Sequence, residues 1–183
     1  MADPELVLRR AERGDLPRLL ELIPRSVRGL SRAHYTDAQI ESAIRHVFGP
    51  DTQLIDDGTY FVVAAGAELV ACGGWSRRRT LFGGDQTKRG ADPLLDPAHE
   101  AARIRAFFVA PDWARRGLGS RLMDACLEAA RAAGFRALEL AATLPGEPLY
   151  RGYGFLPVER TSTALPDGQS LPLVYMRRAL DVR

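Results

Sequence analysis

The most informative part of the 183-residue chain is Arg103–Leu122, RIRAFFVAPDWARRGLGSRL. Its first part, Arg103–Val109, is rich in aromatic and β-branched residues and predicts a buried strand. Gly117–Ala133 places apolar residues at helical spacing and predicts a helix that Gly134 ends. The residues between them contain proline and glycine. The pattern is therefore that of a strand that enters a helix through a glycine-rich loop.

The start of that helix is suited to binding an anion. The first turn of a helix has unpaired N–H groups and a partial positive charge. Gly117 and Gly119 have no side chains to keep a phosphate from these amides, and Arg115 and Arg116 add positive charge nearby. Taken alone, a Gly-x-Gly at a helix start is as often simple helix geometry as ligand binding.

The two common nucleotide-binding patterns fit this segment poorly. Glu139 lies at about the distance at which a Rossmann unit has its acidic residue, but Leu122 stands in place of the third glycine. Pro111 and Trp113 also lengthen the approach to the helix. No Gly-Lys-Ser or Gly-Lys-Thr occurs in the chain, so the Walker pattern is missing. A dinucleotide-binding enzyme is kept as an alternative.

The rest of the chain predicts alternating strands and helices around this centre. Upstream, the patterns predict a strand at Leu6–Arg10, a helix after Gly14, a second helix opened by a capping box of Thr36 and Gln39, and a hairpin of Thr59–Ala65 with Glu68–Trp75. Downstream, they predict a strand at Arg136–Ala142, a short helix around Tyr150, and a hairpin of Phe155–Thr163 with Leu171–Arg178.

Composition narrows the class of protein. The length favours one domain over residues 1–183, and 46% hydrophobic with 26% charged residues is typical of a globular chain. A net charge of +2 gives no general attraction for nucleic acid or an anionic membrane. The acidic start of the chain does not look like a secretory signal, so we expect a cytoplasmic protein. Cys72 and Cys126 have no metal-ligand spacing and are expected to be buried thiols.

Two segments of the chain resemble motifs of the GNAT superfamily of acyl-CoA-dependent N-acetyltransferases. Val109–Leu122 resembles the signature in which a valine ends the central strand and a proline and Arg/Gln-x-x-Gly-x-Gly/Ala follow. Leu149–Phe155, LYRGYGF, is similar to the later Tyr-x-x-x-Gly-Phe element. With the N-terminal pattern at Leu8–Pro17, the resemblance covers nearly the whole chain except Ser76–Glu100.

The resemblance implies an α/β domain with a mixed, mostly antiparallel sheet flanked by helices. It implies acetyl-CoA as the donor, no metal, and direct transfer of the acetyl group to an amine of a small molecule or peptide. Relatives often pair as homodimers, so a homodimer is also an expectation. By this resemblance, the pantetheine pairs with the backbone of Phe107 and Val109, and Tyr150 gives a proton to the departing thiolate. The pyrophosphate binds Arg115, Arg116, Gly117, Leu118, Gly119 and Ser120.

The resemblance leaves the general base open, because Arg103 and Arg105 stand on the central strand where many relatives have a catalytic glutamate. Arginine cannot accept a proton at neutral pH. The remaining candidates are Asp85, His99, Glu100, Glu139 or a chain of water molecules. A non-catalytic acyl-CoA-binding regulatory module is therefore the main alternative. The dinucleotide alternative would be favoured if NAD, and not acetyl-CoA, raised the melting temperature.

The long polar segment Ser76–Glu100 is the main candidate for an acceptor-side flap. Loops of this length in compact domains are usually functional or disordered, and the sequence leaves both open. Its arginines, together with Arg105, suggest an acceptor that carries a carboxylate or phosphate as well as an amine; the residues concerned are Arg77, Arg78, Arg79 and Arg105. A solvated basic loop is the alternative explanation.

Overall fold

The computed structural model describes residues 4–181 and contains one seven-stranded sheet with helices on both faces. The strands are β1 (Leu6–Arg10), β2 (Tyr60–Ala65), β3 (Glu68–Ser76), β4 (Ala102–Val109), β5 (Ala137–Thr143), β6 (Leu156–Ala164) and β7 (Ser170–Ala179). The helices are α1 (Leu16–Leu30), α2 (Asp37–His46), α3 (Thr52–Asp56), α4 (Leu118–Ala132) and α5 (Glu147–Gly152). Residues 1–3, on which the expectation about a secretory signal partly rests, lie outside the described residues.

The sheet is mixed and mostly antiparallel, as the family resemblance implies. Its strand order is β1-β2-β3-β4-β5-β7-β6, and β4 with β5 is its parallel pair. The remaining neighbours run antiparallel. Parallel strands need a crossover connection, and α4 supplies it between β4 and β5.

Two apolar cores hold the helices on the sheet. On one face α4 packs through Leu122 and Cys126 onto strand residues such as Leu138 and Leu140. On the other face α1 and α2 pack through Leu19 and Ile40. Both cysteines, Cys72 and Cys126, are buried free thiols as predicted. Burial of these apolar side chains is the main force that holds the layers together.

Local signals explain where several elements begin. The hydroxyl of Thr36 accepts a hydrogen bond from the N–H of Gln39, and the Gln39 side chain accepts one from the N–H of Thr36, which confirms the predicted capping box. Helix α2 ends at His46, so Val47 and Phe48 lie beyond it. The short helix α3 was not predicted, although a local N-cap marks its start: the carboxylate of Asp51 accepts hydrogen bonds from the N–H groups of Gln53 and Leu54.

Within residues 4–181, no helix combines enough length and apolar character to cross a bilayer. Over the same range, no group of three or more His, Cys, Asp and Glu side chains is arranged to hold a metal ion.

Candidate active site

The strands β4 and β5 separate toward their carboxyl ends. They pair only at Ala102 with Leu138 and at Arg103 with Glu139, and the later residues of the two strands diverge. A cleft of about 380 Å³ opens at this end of the two strands. Its walls are the end of β4, the loop and first turn of α4, the segment from Thr143 to Tyr150, and part of α1. The split leaves a sheet edge in the middle of the domain, with backbone groups that a ligand can pair with.

Strand β4 is irregular where it borders the cleft. Its register with β3 shifts between Cys72 and Gly74, and Ala106 has a positive φ of 55°, which is rare for a residue with a side chain. Such a bulge bends the strand and changes where the following side chains point. A Cβ on Gly73 would lie 2.7 Å from the ring of Phe107, so the glycine makes room for this ring. Phe107 lines the cleft in this bent conformation.

The end of β4 turns its backbone toward the cleft. The N–H of Ala110 donates to the carbonyl of Val70 on β3 at 2.8 Å. Because successive N–H groups of a strand point to opposite sides, the N–H of Val109 points away from β3. It donates to the hydroxyl of Ser26 on α1 at 3.1 Å. A ligand strand on this edge would therefore compete with a serine hydroxyl for the Val109 amide.

The loop before α4 turns sharply into the helix. Arg115 and Gly117 have positive φ values of 62° and 79°, and α4 begins at Leu118 directly after Gly117. As a glycine, Gly117 has no side chain to cap the first amides of α4, and a Cβ there would meet nothing within 4 Å. The first turn of α4 therefore borders open space, as an anion site at a helix start requires.

Gly119 and Arg116 have contacts that the sequence does not reveal. A Cβ on Gly119 would lie 3.0 Å from the Leu149 side chain, so Gly119 permits the close approach of α5 to α4. The guanidinium of Arg116 lies 4.9 Å from the centre of the Trp113 ring in a cation–π contact.

Arg116 does not line the cleft. The site residues predicted from sequence that do line it are Phe107, Val109, Arg115, Gly117, Leu118, Gly119, Ser120 and Tyr150.

Tyr150 lies at the inner wall of the cleft. It is 8% exposed, and its ring makes edge-to-face contacts with Phe107 and Phe155 at centroid distances of 6.1 and 6.0 Å. Burial raises the pKa of its hydroxyl well above the usual value, with a smaller contribution from Cys126. The hydroxyl therefore stays protonated at neutral pH. Tyr153 has a structural role, since its hydroxyl contacts the carbonyl of Ser120 at 3.0 Å and the carboxylate of Asp124 at 2.8 Å.

A smaller cavity of about 60 Å³ adjoins the cleft. The two share Phe48, Phe107, Phe108, Thr143 and Tyr150. Residues 81–84 of the long loop form another part of its wall.

The long loop 76–100 is attached to the domain through several contacts. The N–H of Leu95 donates to the carbonyl of Arg77 at 2.8 Å, and Leu95 itself is buried. The Arg78 guanidinium binds the carboxylate of Asp57 with contacts of 2.7 and 2.9 Å. Its role as an acceptor-side flap stays a prediction, and its position beside the smaller cavity is compatible with it.

The prediction that Arg105 binds an anionic group of the acceptor is wrong. Arg105 is 2% exposed and donates to the carboxylate of Asp51 at 2.8 Å and to the carbonyl oxygens of Gly83 and Thr80 at 2.6 and 3.1 Å. Lys88 binds the same carboxylate. Arg105 thus ties the loop to β4, and Arg78 is likewise held by Asp57. Asp51 lies 54 positions before Arg105, so the pattern of arginines alone could not reveal its partner.

The four side chains that the sequence offered as a general base are bound elsewhere. Glu139 pairs with Arg103 and with Arg177, and Asp85 accepts hydrogen bonds from Thr52 and Lys88. His99 contacts the carboxylate of Asp96, and Glu100 accepts a hydrogen bond from the Asp96 N–H. Among the described residues, no aspartate, glutamate or histidine lines the cleft or the smaller cavity.

Comparisons with known proteins agree with this geometry. The chain matches the Acetyltransferase (GNAT) family over residues 24–155. A GCN5-related N-acetyltransferase from Rhodopseudomonas palustris has a similar structure, with a TM-score of 0.67, 18% sequence identity and 98% of each chain covered. A search of curated proteins found no match.

Two further solved structures contain a ligand. The paia N-acetyltransferase from Thermoplasma acidophilum, in complex with coenzyme A, has a TM-score of 0.64 at 12% identity and covers 96% of this chain and 99% of its own. The acetyltransferase yncA from Salmonella typhimurium, with acetyl-CoA, has a TM-score of 0.63 at 16% identity and covers 98% of this chain and 96% of its own. At these identities the likeness concerns the fold.

Proposed function

The chain belongs to the Acetyltransferase (GNAT) family, and on this premise we propose that it transfers an acetyl group from acetyl-CoA directly to a primary amine of a small molecule or peptide. The observation that carries the proposal is the split between β4 and β5, which pair only at Ala102–Leu138 and Arg103–Glu139. The cleft at this end of the strands runs from the first turn of α4 to Tyr150. Such a cleft can hold an extended donor with an anionic end and a reactive end.

The residues at the outer end of the cleft fit the diphosphate of acetyl-CoA. We assign it to Arg115, Arg116 and the amides from Gly117 to Ser120, which begin α4 beside open space. Arg116 would contribute charge from its place on the Trp113 ring. The pantetheine would run along β4 at Phe107 and Val109, where the Val109 amide exchanges its bond to Ser26 for one to the donor. The donor supplies a thioester, which is an activated acyl group.

Tyr150 is the residue proposed to act on the leaving group. Its hydroxyl keeps its proton at neutral pH, since burial raises its pKa. Because a raised pKa makes it a weaker acid than a free tyrosine, it gives that proton to sulfur only as the carbon–sulfur bond breaks and the amine supplies a replacement proton. The surrounding rings of Phe107 and Phe155 hold it in place and exclude water.

A test of this function combines binding with turnover. Acetyl-CoA should raise the melting temperature and NAD should not, and thiol release should appear with one or more members of a panel of primary amines. Tyr150→Phe should lower kcat about a hundredfold while the Kd for acetyl-CoA stays the same. Tyr175→Phe, on β7 away from the cleft, serves as the matched control. Full turnover in Tyr150→Phe would exclude the acid role.

A second candidate function is a non-catalytic acyl-CoA-binding regulatory module. One observation favours it, since no aspartate, glutamate or histidine among the described residues lines either cavity. Binding of acetyl-CoA without thiol release on any amine would support this function over catalysis.

A further inference from the structure

The smaller cavity bears on the kind of amine that can react, provided that the proposed function holds. It meets the main cleft at Phe107, Phe108 and Tyr150, so an acceptor in it would face the reactive end of the donor. Its volume is about 60 Å³, well below the roughly 150 Å³ of a cavity that encloses a benzene ring, so it can hold the amino end of an acceptor whose ring extends toward the shared walls of Phe48 and Phe108. The acceptor nitrogen would therefore approach through this cavity.

The walls of the smaller cavity are apolar and rich in aromatic rings. Phe48 follows α2, Phe82 belongs to the long loop, and Phe108 lies on β4. The rings of Phe48 and Phe108 meet edge-to-face with centroids 5.8 Å apart. Val47, Leu81 and Ile104 add aliphatic surface. Aromatic rings pack well on one another in such offset and edge arrangements, so these walls favour a flat apolar group.

The charges around the smaller cavity offer nothing to a cationic amine. The one charged side chain among its described lining residues is Arg105, whose guanidinium is bound by Asp51. Lys88 also binds Asp51, and it contacts Asp85 as well. The charges of these two cations and two carboxylates therefore cancel. An ammonium group would lose its water, gain no carboxylate and lie near a guanidinium, all of which disfavour the charged form.

Charges farther along the strands are also paired. Arg103 on β4 and Arg177 on β7 both bind Glu139 on β5. The other polar groups in the wall are the buried Nε–H of Arg105, which has no hydrogen-bond partner, the hydroxyls of Thr143 and Tyr150, and backbone atoms. At pH 7 only about one part in 2,500 of an alkylamine is in its neutral form. The described lining residues include no group that would take the proton from its ammonium form.

We propose that the acceptor is a weakly basic aromatic amine, which is uncharged when it binds and carries its nitrogen on a flat apolar ring, in preference to a lysine side chain or a polyamine. The nitrogen lone pair forms the bond to the acetyl carbon, and the carbon–sulfur bond breaks with its electrons going to sulfur. Tyr150 passes its proton to sulfur as that bond breaks, and the proton that leaves nitrogen replaces it on the tyrosine oxygen in the same step. The products are an N-aryl acetamide and coenzyme A.

Two isomeric amines test this inference. 4-Methylaniline and benzylamine have the same atoms, but the first is neutral at pH 7 and the second is mostly protonated. The proposal predicts that kcat/KM at pH 7 is at least tenfold higher for 4-methylaniline, with little change from pH 6.5 to 8.5. For benzylamine, kcat/KM should rise about tenfold per pH unit over the same range, because its neutral fraction does.

The same assay includes spermidine and a lysine-containing peptide. Equal or faster acetylation of benzylamine, spermidine or the peptide at pH 7 would overturn the choice of acceptor and leave the proposed function intact. Absence of thiol release with every amine would reject the proposed function itself. The two failures are therefore distinguishable.

A pair of variants tests the position of the acceptor. Phe82→Ala removes a ring that lines only the smaller cavity, so the KM for 4-methylaniline should rise about tenfold while the Kd for acetyl-CoA is unchanged. Leu94→Ala changes an exposed residue of the same loop that lines neither cavity, and should change neither constant. An unchanged KM in Phe82→Ala would overturn the placement of the acceptor in the smaller cavity.

Discussion

The hydroxyl of Tyr60 donates a hydrogen bond of 3.0 Å to the backbone carbonyl of Ala106 on β4. Tyr60 is buried and lines neither cavity, whereas Ala106 is the residue of positive φ at the irregular part of the strand. A side chain on β2 thus supports the bend of β4 across the intervening strand β3. This contact connects the interior of the sheet with the position of Phe107 in the cleft.

Tyr60→Phe should weaken both the fold and the reaction. Loss of the hydroxyl leaves the Ala106 carbonyl with one bond fewer, and we expect the free energy of unfolding to fall by about 1–2 kcal/mol. If the bend of β4 positions the thioester, kcat should fall severalfold while the Kd for acetyl-CoA is unaffected. Urea unfolding and steady-state kinetics measure the two effects, with Leu94→Ala, at an exposed side chain that lines neither cavity, as the control. A loss of stability with unaltered kcat would assign Tyr60 to folding alone.

Gly73→Ala tests the room that β3 leaves for Phe107. The added methyl group would lie 2.7 Å from the Phe107 ring, so the ring must move toward the cleft. Overpacking of this kind costs about 1–3 kcal/mol in the free energy of unfolding. We expect weaker binding of acetyl-CoA in calorimetry as well. Gly14→Ala is the control, because a methyl group there meets nothing within 4 Å. Normal stability and affinity in Gly73→Ala would show that the ring is free to shift.

The carboxylate of Asp51 should be among the most sensitive charges of the domain. It is 1% exposed, binds Arg105 at 2.8 Å and Lys88, and caps α3. Asp51→Asn leaves the buried Arg105 without its counter-charge and Lys88 with Asp85 alone, and removing one partner of a buried pair costs about 3–5 kcal/mol. Replacing Arg105 with methionine in the same chain should recover part of this loss. Urea unfolding of both single variants and the double variant measures the coupling, and additive losses would contradict it.

The sequence predicted best what depends on neighbouring residues. The glycine-rich turn into α4 and the capping box of Thr36 and Gln39 are local patterns, and both appear at the predicted positions. Local chemistry is sufficient in these cases because each signal acts within one turn of the chain.

Contacts between segments that are distant along the chain could not be predicted from the sequence. Phe48 and Phe82 meet in one cavity only after α2 and the long loop pack beside β4. Arg105 looked like a free cation because its partner Asp51 lies 54 positions away. Ser26 on α1, which binds the Val109 amide, carried no motif that would single it out. Such contacts depend on the tertiary fold, which spacing along one chain does not encode.

Asp15 should make the stability of the domain depend on pH in the acidic range. Its carboxylate is 1% exposed, and the hydrogen bonds from Arg9 at 2.8 Å lower its pKa from 3.8 to about 2. A pKa that is lower in the folded state stabilises the fold above pH 4, and this contribution is lost as the pH falls toward 2. The shift corresponds to about 2 kcal/mol. The difference in unfolding free energy between the wild type and Asp15→Asn should therefore narrow by about 2 kcal/mol between pH 5 and pH 2.

Asp56→Asn is the control, because the ion pair of Asp56 with Arg13 is exposed to water. This variant should leave the dependence of stability on pH nearly unchanged. Parallel curves for the wild type and Asp15→Asn would show that the Arg9 pair does not set this pKa.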